Sequence, residues 1–70
     1  MNLRQNLSKN LITLTALESD FKDRYDDPIL FEQINLHKKS LAFYINQKNY
    51  KRGMLESEYL VQFLIMYLTD

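Results

Sequence analysis

The stretch Phe21-Lys22-Asp23-Arg24-Tyr25-Asp26-Asp27-Pro28-Ile29-Leu30-Phe31-Glu32-Gln33-Ile34 holds the only proline of the chain. It reads as the end of one amphipathic helix, an acidic corner and the start of a second helix. Proline disfavours the helical region for the residue before it, here Asp27. It is tolerated at the first position of a helix, where its missing N–H has no intrahelical bond to lose. Asp27 then falls at the N-cap, where a carboxylate accepts from unpaired backbone N–H groups. Asp26 and Asp27 also complement the positive end of the new helix dipole. A proline inside a helix costs about 3 kcal/mol, so the corner is predicted to be a helix boundary.

Upstream, Leu3, Leu7, Leu11, Leu14, Leu17 or Glu18, Phe21 and Tyr25 recur three or four residues apart, which is one helix face. A helix is predicted from Asn2 or Leu3 to about Tyr25. Asn2, with Gln5 three positions on, resembles a capping box. Ile12 is expected to widen the apolar stripe, with Arg4, Lys9, Thr13, Asp20 and Arg24 opposite it. Downstream, the region 28–52 lacks glycine and any further proline. Two parses stand: helices over 28–38 and 41–52 with Ser40 capping the second, or one bent helix. Leu30, Ile34, His37, Leu41, Tyr44 and Lys48 continue a single stripe and keep the second parse open.

Gly53 is the only glycine. After Lys51-Arg52 it suits the left-handed residue that closes a helix. A last helix would follow it, with Glu56 and Glu58 in its first turn. Tyr59–Leu68 is apolar almost all round. Such a segment is either buried or covered by another chain. A helix is preferred to a strand, because a lone strand has no pairing partner. The fold expected is a single all-α domain over residues 1–70, a small three- to four-helix bundle.

Seventy residues lie near the lower limit for an independent core. There is no cysteine, so neither disulfide nor thiolate metal site is available. Nine basic and nine acidic residues give zero net charge, which argues against strong nonspecific nucleic-acid binding by the whole chain. The apolar run Leu11–Leu17 is broken by threonines and lacks a signal-peptide cleavage pattern. Phe63–Leu68 is too short to span a bilayer. A soluble cytoplasmic protein without membrane contact is expected.

No catalytic constellation is legible. The only histidine, His37, stands beside Lys38 and Lys39 and reads as a half-exposed helix residue. One glycine cannot make a phosphate-binding loop. Asp23, Asp26, Asp27 and Glu32 form an acidic group that could attract a hard cation, but helix-end electrostatics accounts for the same residues. No cofactor and no metal is expected. Lys38, Lys39, Lys48, Lys51 and Arg52, with Tyr44 and Tyr50 among them, could graze nucleic acid weakly. Five tyrosines and four phenylalanines exceed what so small a core holds. At least one apolar patch should be left for a partner or a second copy.

The spacing Phe21, Lys22, acidic Asp23, Arg24, Tyr25, then Pro28, Ile29, Glu32 and Ile34 resembles the theta subunit family of bacterial DNA polymerase III. A weaker likeness reaches back to Asn6–Lys9 and forward over Leu41–Met54. Theta has a proline near the turn expected between 38 and 41, and a polar, proline-containing tail; this chain lacks that proline and carries the apolar run Tyr59–Leu68 where the tail would be. The resemblance implies a small non-catalytic helical subunit that binds and stabilises the proofreading exonuclease subunit, epsilon. Carried over to this chain, it makes Phe21, Lys22, Arg24, Tyr25, Pro28, Ile29 and Glu32 the partner-binding candidates. The residues alone also allow a self-associating interaction module using Tyr59–Leu68, or a small nucleic-acid-binding regulator using 38–52.

Overall fold

Asn2 starts the first helix. In the computed structural model, which describes residues 2–69, its side-chain oxygen accepts from the Arg4 N–H at 2.9 Å. That satisfies one of the N–H groups every helix start leaves unpaired. Helix α1 runs Leu3–Arg24. Its inward face is the predicted stripe: Leu7, Leu14, Glu18 and Phe21 are buried, and Leu11, Leu17 and Tyr25 pack at the margin. Ile12 departs from expectation and is 73% exposed. On the helix wheel it lies about 140° from Leu7, nearly opposite the core.

The Asp27–Pro28 corner is a helix boundary. The Asp27 carboxylate accepts from the N–H groups of Ile29 and Leu30 at 3.1 and 3.2 Å, and Pro28 takes the first turn. Helix α2 runs unbroken over Pro28–Asn46. The two-helix parse, 28–38 and 41–52, is therefore corrected, and Ser40 is an exposed mid-helix residue, not a cap. The physical reason is the stripe itself. Ile34 and Leu41 are buried on it, with Leu30 packed beside them, while Lys38-Lys39-Ser40 holds nothing that stops a helix.

The real turn is Gln47-Lys48-Asn49. Lys48 adopts φ 58°, the left-handed region. Its N–H donates to the Ile45 carbonyl at 2.9 Å, and the Asn49 N–H donates to the Tyr44 carbonyl at 2.8 Å. Those two bonds make a Schellman C-cap. Asn49 then caps the next helix, accepting from the Arg52 N–H at 3.3 Å. Helix α3 runs Tyr50–Leu68.

Gly53 consequently lies inside α3, buried and without a positive φ, rather than closing a helix. Glu56 and Glu58 lie beyond the first turn. Side chains of α1 and α2 line this position of α3: a Cβ would stand at ordinary contact distance, 3.5 Å from Leu7 Cδ2 and 3.8 Å from both Ile45 Cγ1 and Leu41 Cδ1. The buried face of α3 is Gly53, Ser57, Leu60 and Leu64, spaced four, three and four apart as a packed helix requires. The apolar end of the chain is thus helical and contributes two core leucines. Tyr59 and Met66 remain exposed.

α3 packs against both other helices, whereas the backbones of α1 and α2 nowhere come within 8 Å, Cα to Cα. The result is an all-α three-helix bundle with extents of 34 × 22 × 14 Å. Its core is Leu7, Leu14, Phe21, Ile34, Leu41, Leu60 and Leu64. Among the described residues there is no strand, and no helix is long and apolar enough to cross a membrane.

Candidate functional site

The corner is built on Phe21. Its ring is fully buried. It stacks on Tyr25 at 4.9 Å between centroids and meets Phe31 and Tyr67 edge-on, each at 5.8 Å. Edge-to-face and offset geometry at these distances is the favourable arrangement for aromatic quadrupoles. One aromatic from α2 and one from α3 therefore clamp the end of α1. Phe21 belongs to the core and has no surface to offer a partner.

Tyr25 and Arg24 close the same end. The Tyr25 hydroxyl donates to the Tyr67 carbonyl at 2.7 Å, and the Arg24 guanidinium donates to the Leu68 carbonyl at 3.0 Å. The last carbonyls of a helix lack intrahelical donors, and a cation there suits the negative end of the dipole. Arg24 also sits 3.9 Å from Asp20. Both residues thus fasten the corner to the end of α3. An Arg24 substitution would disturb that tie as well as any outside contact.

Lys22 faces the space between α1 and α2. Its Nζ lies 3.3 Å from Glu18 Oε1, and Lys38 Nζ from α2 lies 3.0 Å from the same oxygen. A buried carboxylate needs such compensation, and here two lysines from two helices supply it. The Glu18–Lys38 pair bridges an open groove of about 470 Å³ lined by Leu11, Leu14, Leu41 and Ile45. On the other side of α2, His37 Nδ1 lies 2.6 Å from Glu56 Oε1. A carboxylate only accepts, so the imidazole is the donor of that α2–α3 link. The His37 ring also lies against Tyr59 at 4.9 Å.

Pro28, Ile29 and Glu32 are the exposed members of the set. Ile29 is 71% exposed, a large apolar side chain held in water at the rigid start of a helix. The seven corner residues therefore do not form one surface. Phe21 and Tyr25 are packed, Arg24 turns to the end of α3, Lys22 borders the groove, and the last three open onto the outside of α2. Sequence reasoning overlooked two exposed residues in line with Ile29, namely Leu36 and Phe43, 56% and 58% exposed. Their one-heptad spacing was the available signal.

The basic stretch is divided too. Lys38 is engaged with Glu18, while Tyr50 carries the Arg4 guanidinium 5.4 Å above its ring. Among the acids, Asp27 serves as the helix cap. Among the described residues no three His, Cys, Asp or Glu side chains gather as a metal-binding group. Comparison with family models, with curated proteins and with solved structures finds no match for the chain.

Proposed function

We propose that this chain is a theta-like accessory subunit of a replicative DNA polymerase core, acting in the cytoplasm by binding an epsilon-like proofreading exonuclease. No side chain acts chemically in this reading. The protein works by linkage: a partner that binds only the folded exonuclease stabilises it by mass action. The observation that carries the proposal is the exposed rim at the corner. Pro28 fixes the first turn of α2, and Ile29 stands 71% exposed beside it, with Glu32 one turn further along. The Phe21–Lys22–Asp23–Arg24–Tyr25 run behind that rim supplies the scaffold. Phe21 and Tyr25 hold the corner rigid, which lowers the ordering cost of binding.

The test is co-purification of tagged exonuclease subunit from the same host with this protein. Retention of wild type and loss of Ile29→Asp is the expected result, because Ile29 has little core role and its substitution leaves the fold intact. Failure of wild type to be retained removes the proposal. Equal retention of both proteins moves the contact elsewhere.

A further inference from the structure

The outer face of α2 carries Ile29, Leu36 and Phe43, each one heptad from the next and 71%, 56% and 58% exposed. They point away from the core residues Ile34 and Leu41. Adjacent members lie about 10 Å apart along the helix, from a 1.5 Å rise per residue. An apolar row at this spacing is the seam by which one helix packs on another.

The row is symmetric about Leu36, and so are its flanks. Glu32 lies one turn before Leu36 and Lys39 nearly one turn after it, both on the same side of the row. Neither has an ion-pair partner among the described residues. Gln33 and Ser40 occupy the other side in the same relation. We infer that this face docks a second copy of the chain, the two α2 helices antiparallel and related by a two-fold axis through Leu36.

Such an axis places Ile29 opposite the partner's Phe43 and Leu36 opposite the partner's Leu36. On one flank it brings Glu32 within one residue's rise, about 1.5 Å, of facing the partner's Lys39, and the contact occurs twice. On the other flank Gln33 meets the partner's Ser40, so no like charges oppose. A parallel pair would carry the Glu32–Lys39 flanks to opposite sides and leave them unmatched. Self-complementarity of one patch is what a two-fold interface demands. Ile29 and Glu32 also belong to the proposed exonuclease contact, so the two associations compete. The dimer does not depend on that contact.

Sedimentation equilibrium on the full chain alone tests the inference. A one-helix interface is small, so the measurement runs to about 1 mM, where even weak association shows. Wild type should rise toward twice the 8.5 kDa chain mass, and Leu36→Glu should stay monomeric with unchanged circular dichroism. Glu32→Lys and Lys39→Glu should each weaken the dimer about tenfold by setting like charges across the axis. The double variant Glu32→Lys/Lys39→Glu should return to within about twofold of wild type, since the swap again sets opposite charges across the axis and facing residues couple. Met66→Glu, on the exposed side of α3, should change nothing. A wild-type mass that stays monomeric overturns the inference. So does a dimer that survives Leu36→Glu, is lost with Met66→Glu, or is not restored in the double charge swap.

Discussion

Replacing Gly53 with alanine separates two incompatible accounts of the middle of the chain. Where a glycine closes a helix in the left-handed conformation, alanine is strained and the protein loses stability. In the structure Gly53 is instead a helical residue of α3 with no positive φ. There alanine gains about 0.8–1.0 kcal/mol of intrinsic helix propensity. The new methyl has room, since its nearest neighbour would be Leu7 Cδ2 at 3.5 Å and the next two atoms stand at 3.8 Å. These are ordinary contact distances, so burying the methyl adds to the gain. The expected effect is stabilisation by at least about 1 kcal/mol, a rise in Tm of about 4–8 °C for a domain of this size. Thermal unfolding followed by far-ultraviolet circular dichroism reads it directly. Valine at the same site provides the internal contrast, because its extra methyls exceed the gap and overpacking costs about 1–3 kcal/mol. A Gly53→Ala protein less stable than wild type by about 1 kcal/mol would refute the continuous α3 and restore a helix end at Arg52.

Lys48→Gly should stabilise by about 1 kcal/mol, because Lys48 holds φ 58° at a position that glycine occupies without a Cβ penalty; chemical denaturation measures it, and a loss of stability would contradict the Schellman turn. Phe21→Ala should cost about 3–5 kcal/mol, about half of the roughly 4–10 kcal/mol expected of a chain this long. A variant that melts like wild type would show that the aromatic clamp is not the centre of the corner. Tyr25→Phe keeps the ring stacking and removes only the bond to the Tyr67 carbonyl, for a loss of about 0.5–1.5 kcal/mol. Amide exchange should then rise in the last turn of α3, and unchanged exchange there would separate the corner from the end of α3.

What the sequence made legible were the features set by strong local chemistry. Asp27–Pro28 combines a cap with a residue that can only begin a helix, and the boundary falls there. The α1 stripe from Leu7 to Tyr25 faces the core because three- and four-residue spacing leaves it no other side. The misreadings come from tertiary packing. Gly53 resembles a helix stop, yet the packing of Leu7, Leu41 and Ile45 around it keeps it inside α3. The turn that replaces it, Gln47-Lys48-Asn49, is marked only by a polar run and by Asn49 as a cap, and it puts a lysine in the left-handed position. Ile12 looked like core because it is apolar, but its angle on the helix is wrong. The corner residues were grouped by sequence, while their side chains separate once α3 claims Phe21, Arg24 and Tyr25. Leu36 and Phe43 remain in water because their one-heptad spacing from Ile29 sets them on the side of α2 away from Ile34 and Leu41, a pattern legible only once 28–46 is read as a single helix.

Thermal unfolding of a cognate epsilon-like exonuclease subunit, with and without this protein, tests the central proposal most directly. With the chain present at about one hundred times its Kd, the exonuclease should gain about 2.7 kcal/mol and unfold at a correspondingly higher temperature, and Ile29→Asp should forfeit that gain while keeping its own helical content. An exonuclease that melts identically with and without the wild-type chain, with no complex detected, would contradict the proposal.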